Sequence, residues 1–104
     1  MKTFATLFFI IALAALFTSS AAADEALARK LLVSQGCKGC HVLEGEGGKL
    51  GPALDKIGAR LNADQIRQKL LDPKADNPKS YMPGFAHLKE NELQAMIDFL
   101  SNRK

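Results

Sequence analysis

The stretch Gln35-Gly36-Cys37-Lys38-Gly39-Cys40-His41 holds both cysteines of a 104-residue chain and one of its two histidines. The scarcest reactive side chains are thus gathered within five residues, with the histidine directly after the second cysteine. Three chemistries use two thiols at this spacing. Thiol–disulfide exchange can cycle a Cys-x-x-Cys pair, but its usual setting is a strand–helix–strand unit. Zinc could take Cys37, Cys40, His41 and His87, but His41 abuts Cys40 and lacks the paired-histidine spacing of a finger. Covalent haem fits best: Cys-x-x-Cys-His is the attachment signature of c-type haem, with two thioether links and a histidine placed to face the iron.

Working outward, the N-terminal side carries an export signal. Lys2 is followed by the apolar run Phe4 to Phe17 and by Ala21-Ala22-Ala23 before Asp24. A basic start, an apolar run and an Ala-x-Ala site predict a signal peptide over 1–23 and a mature domain over 24–104. The run is shorter than the roughly 20 residues a membrane span needs, so no span is expected in the mature protein. Export fits haem attachment, which takes place after translocation, and it points to the periplasm. A domain of this size has a marginal core on its own, and a buried flat apolar cofactor would supply what is missing. The net charge is only +3, and no cluster interleaves aromatic with basic residues. Nucleic acid is therefore not an expected partner.

The mature chain reads as all-α. "DEALARKLLVSQG" places Leu27 and Leu31 on one helix face, with acids at its start and Gly36 as a stop. "EGEGGKLGP" (Glu44 to Pro52) is a glycine-rich loop without the Lys-Ser/Thr ending of a phosphate loop. "PALDKIGARL" suggests a short helix. "NADQIRQKLLD" suggests a longer one, opened by an Asn62/Gln65 capping box and closed by Pro73. Residues 72–85 form a long loop with three prolines. "LKENELQAMIDFLSN" ends the chain as a helix with Leu93, Met96, Ile97 and Leu100 on one stripe.

An iron held by His41 has a second face to fill. Met96 lies on the apolar stripe and reads as core. His87 as a ligand would give two histidines and a lower potential. Met82 stands in "SYMPGF", beside Pro83 in a loop stiffened by proline, where a thioether can be presented to an iron. It is the favoured second ligand. With Met82 off the iron, the open site would suit a peroxidase-like enzyme or a ligand sensor.

The motifs Cys37-Lys38-Gly39-Cys40-His41, Gly51-Pro52-Ala53-Leu54, Met82-Pro83-Gly84-Phe85 and "ELQAMIDFL" occur in that order. In this the chain resembles the class I c-type cytochromes, in the small soluble bacterial monohaem group, over essentially its whole mature length. The resemblance implies a cytochrome c fold: three to five helices wrapped around one covalently bound haem, with first and last helices crossing. It implies Met82 as the distal ligand and a hydrogen bond from the His41 ring to the Pro52 carbonyl. Lys89 stands where the family pattern expects a Ser, Thr or Asp cap, and the tryptophan frequent near the distal loop is absent. A His–Met iron has both axial positions filled. The expected function is therefore one-electron transfer by a monomeric carrier between transient redox partners, not catalysis. Lys38, Lys49, Lys79 and Lys89 flank these motifs and could form a basic rim for docking.

Overall fold

The computed structural model describes residues 21–104. The expected signal peptide, apart from residues 21–23, lies outside the described residues. Residues 21–34 are helical (α1) without a break at the expected Ala23–Asp24 boundary. Gly36, with φ 76°, ends this segment in the left-handed conformation that glycine adopts without penalty. The chain then enters a single 3₁₀ turn, Cys37–Gly39. Three further helices follow: α2 (Ile57–Arg60), α3 (Ala63–Leu71) and α4 (Glu90–Ser101). Among the described residues the only β pairing is an isolated bridge between Leu43 and Glu46, so the architecture is all-α.

Local sequence explains most helix ends. Asn62 accepts from the Gln65 N–H at 2.9 Å, and Gln65 accepts from the Asn62 N–H at 2.9 Å. This reciprocal box stabilises the start of α3 by about 1 kcal/mol. Asp72, pushed out of helical space by Pro73, closes it at φ −146° and ψ 79°. At α4 the missing cap is half replaced. The Glu92 carboxylate accepts from the Lys89 N–H at 3.0 Å, while the Lys89 ammonium has no acceptor to offer in return. Glu90 and Glu92 also place negative charge on the first turn, where the helix dipole favours it.

The short helix expected over 52–61 is confined to Ile57–Arg60. Its first residues are committed elsewhere. The Leu54 N–H bonds Val42 O at 2.8 Å, and Ala53 O accepts from Arg60 at 3.3 Å. Backbone groups spent on other partners cannot close helical rings.

The core joins all four helices. Leu93, Met96, Ile97 and Leu100, the expected α4 stripe, are buried together with Ala28, Leu31 and Leu32 of α1, Ile66 and Leu70 of α3, and Phe85. The buried face of α1 is wider than the Leu27/Leu31 pair, since Ala28 and Leu32 are more deeply buried than Leu27. Both α2 and α3 pack on α4. Phe99 is flanked by the guanidinium carbons of Arg29 and Arg103, 5.1 and 5.0 Å from its ring centre. Glu44 accepts from both arginines, at 3.0 and 2.9 Å, and so ties α1, the glycine-rich loop and the C-terminus together.

Candidate haem site

Cys37 and Cys40 begin and follow the 3₁₀ turn, and both thiols are free. The His41 N–H bonds Cys37 O at 3.0 Å, so the histidine is anchored on the turn that carries the first cysteine. Burial pushes the Cys37 thiol above its ordinary value. A redox-cycling pair needs the opposite, a thiolate stabilised near neutral pH. Among the described residues no three His, Cys, Asp or Glu side chains converge on a point, and His87 is bound to Gln35 instead of meeting the cysteine cluster. The donors of the zinc reading are therefore not assembled.

The His41 ring is fixed from two sides. Its Nδ1 lies 2.7 Å from Pro52 O. A carbonyl can only accept, so Nδ1 carries the proton and Nε2 keeps the free lone pair. This is the tautomer a metal-facing imidazole needs. Gly51 packs against the same ring. A Cβ built there would stand 2.5 Å from His41 Cε1, so this position excludes any larger residue without moving the ring. The Gly51 N–H bonds Cys40 O at 2.7 Å, which holds the glycine-proline segment against the cysteine turn.

His41 lines a cavity of about 350 Å³ whose walls are mainly apolar. Ile57, Leu61, Ile66, Leu70 and Leu100 supply hydrocarbon from α2, α3, the segment between them, and α4. Met82 lines the same cavity. Its N–H bonds Ser80 Oγ at 3.2 Å, and it is partly buried against the core. The other two candidates lie elsewhere. Met96 is 1% exposed and packed in the core, while His87 is exposed at the surface. Of the three possible partners for an iron at His41, Met82 alone borders the cavity.

These residues fit a flat, apolar, iron-containing macrocycle. The cavity is mainly apolar and bordered by one imidazole and one thioether; the two free thiols, Cys37 and Cys40, stand on the turn just before the imidazole but do not themselves line the cavity. Sequence reasoning missed Ile57, Ile66 and Leu70 as cavity walls, although the i, i+4 pair Ile66/Leu70 marks an inward face. It also missed Arg60, Lys69, Asn77 and Ser80, which bring polar groups to the same cavity. No periodic pattern marks those four.

A cytochrome c family model matches residues 26–104. The chain belongs to the cytochrome c family. It is a c-type cytochrome of all-α fold, and its cofactor is one covalently bound haem c. The characteristic role of the family is haem-based electron transfer. The chain is also similar to cytochrome c oxidase subunit 2 of Alkalihalophilus pseudofirmus, at 26% identity over 84 residues. That match covers 73% of this chain and 25% of the relative, so the chain spans about a quarter of the curated protein it resembles. No solved structure matches significantly.

Of the four lysines expected at the site's rim, Lys38 is paired with Glu46 at 3.7 Å. Lys49, Lys79 and Lys89 form no ion pair among the described residues. Among the described residues, no helix is long and apolar enough to cross a membrane.

Proposed function

We propose that this cytochrome is a class I monohaem electron carrier of the periplasm, exported by the segment 1–23. In this reading Cys37 and Cys40 would hold the haem through thioether bonds, and His41 and Met82 would hold its iron. The observation that carries it is that His41 and Met82 border one apolar cavity while Met96 and His87 do not.

The bound haem supplies a one-electron change between ferric and ferrous iron. His41 offers Nε2 in a fixed orientation, because Pro52 O holds Nδ1–H. The Met82 thioether is a soft donor that favours the ferrous state and raises the potential above that of a two-histidine site. With both His41 and Met82 on the iron no coordination site would stay open, which would suit electron transfer over catalysis. The apolar walls from α2, α3 and α4 exclude water and favour the state of lower net charge. Arg60 and Lys69 place positive charge at the cavity, where it suits the carboxylates of the cofactor. Unpaired Lys49, Lys79 and Lys89 would serve brief encounters with a donor and an acceptor, the protein acting as a monomer. The likeness to an oxidase subunit suggests a terminal oxidase as acceptor.

Redox titration of Met82→Ala tests the reading. The potential should fall by on the order of 100–200 mV, part of the roughly 0.8 V that axial ligands command. Carbon monoxide should then bind the reduced variant readily. An unchanged potential would remove Met82 from the iron and favour the open-site enzyme or sensor.

A further inference from the structure

We propose that Gln35 and His87 form a clamp that holds Met82 in place, acting as positioning residues for that ligand. The inference rests on the reading of Met82 as an axial ligand. His87 Nε2 lies 2.9 Å from Gln35 Oε1. The amide oxygen can only accept, so Nε2 carries the proton. Gln35 stands two residues before Cys37, at the turn where Gly36 swings the chain into the cysteine segment. His87 stands five residues after Met82. The clamp therefore joins the segment bearing Cys37, Cys40 and His41 directly to the loop bearing Met82. Among the described residues no other hydrogen bond or ion pair links residues 35–41 with residues 72–89.

The rest of the Met82 loop explains why one bond matters. On its C-terminal side the buried Phe85 is tied to α3 through its N–H and Leu70 O at 2.7 Å. The His87 ring leans on Phe85, with ring centres 6.0 Å apart. Ahead of Met82 the hydrogen bonds are local turns, Ser80 N–H to Asn77 O at 2.9 Å and Met82 N–H to Ser80 Oγ at 3.2 Å, and an exposed ion pair, Lys69–Asp76 at 3.1 Å, ties the loop to α3. Such turns shape the loop but do not fasten it to the cysteine segment. With the clamp cut, the loop is held to α3 by Phe85 and by the exposed Lys69–Asp76 pair but no longer to the cysteine segment, and Met82 swings away from the cavity more often.

The test uses the haem-loaded full chain and reads carbon monoxide capture by the ferrous form, which requires Met82 to leave. Gln35→Met removes the acceptor at similar length, and His87→Ala removes the donor. Each should speed capture about two- to tenfold, the range one modest hydrogen bond sets. The double variant should be no faster than either single one, because both cut the same bond. Gln35→Glu keeps an acceptor oxygen and should restore capture to the parent rate. Arg67→Met cuts an exposed contact between α3 and Glu90, so it should lower the denaturation midpoint without changing capture. Unchanged capture in Gln35→Met, or single effects that multiply in the double variant, would overturn the clamp. A parent protein that captures carbon monoxide freely and lacks the far-red ferric band would overturn both the Met82 ligand and the clamp. A parent with that band, unaffected by Gln35→Met, would overturn the clamp alone.

Discussion

The two ligand-bearing walls of the cavity are built differently. His41 sits in a cradle of backbone: the Pro52 carbonyl holds its ring, Gly51 presses on the ring face, and Leu54 bonds back to Val42. Met82 sits on a loop shaped by turns, with Ser80 Oγ on its N–H and one side-chain bond, Gln35–His87, reaching across to the cysteine segment. The histidine wall leaves its ligand one orientation. The methionine wall holds Met82 by fewer ties, so on the proposed ligation Met82 would leave its seat more readily than His41. On the proposed ligation, a firm His41 would fix the iron while a looser Met82 would set how readily it gives up an electron.

Methionine truncation breaks this comparison most sharply, because the two methionines at issue do different work. Met96→Ala should cost 2–5 kcal/mol of stability, about the penalty of emptying a packed core site. Guanidinium denaturation would measure it. The far-red ferric band and the potential should stay close to those of the parent. A lost band would mean that Met96, not Met82, reaches the iron.

Gly51→Ala attacks the firm wall. A methyl group at 2.5 Å from His41 Cε1 forces the ring or the loop to shift, at a cost of about 1–3 kcal/mol. The denaturation midpoint should fall, and the yield of protein with covalent haem should drop because His41 no longer meets the site squarely. Full yield with unchanged stability would show that the cradle is looser than its contacts imply.

Glu44→Gln should have the smallest effect and a defined pH signature. Hydrogen bonds from Arg29, and then from Arg103, hold the Glu44 carboxyl at about 2 against an ordinary 4.5. A depressed carboxylate contributes stability that is complete above pH 4.5 and lost as pH falls towards 2. The parent should therefore exceed the variant modestly at pH 7, and the gap should close across that acid window. A gap independent of pH would show that the two arginines do not hold the carboxylate in its charged form. The group is exposed, so the contribution is screened by salt as well.

The elements that were legible in the sequence share one property: their signals are local. The Asn62/Gln65 box, the Leu93–Met96–Ile97–Leu100 stripe and Cys37-Lys38-Gly39-Cys40-His41 each lie within one or two turns of chain. The elements that were hidden are built from distant pairs. Residues 52–54 read as the start of a helix, but their backbone groups serve His41, Val42 and Arg60. The cluster of Arg29 and Arg103 around Phe99 and Glu44 leaves no periodic trace, since its members come from α1, the C-terminus, α4 and the glycine-rich loop. In the sequence His87 drew notice as a zinc donor or a second iron ligand. It is exposed, yet its ring reaches Gln35 across the fold. Lys89 read as a poor cap because the compensating group, Glu92, acts through its side chain on the backbone, not through the capping residue itself.

The central claim, one haem with His41 and Met82 on its iron, is met most directly by an absorption spectrum of the haem-loaded protein, oxidised and then reduced. Sharp c-type bands are expected on reduction, with a weak far-red band in the ferric form, the mark of a sulfur ligand. Haem bands without the far-red feature would contradict it and leave an iron bound by two histidines or open to a substrate.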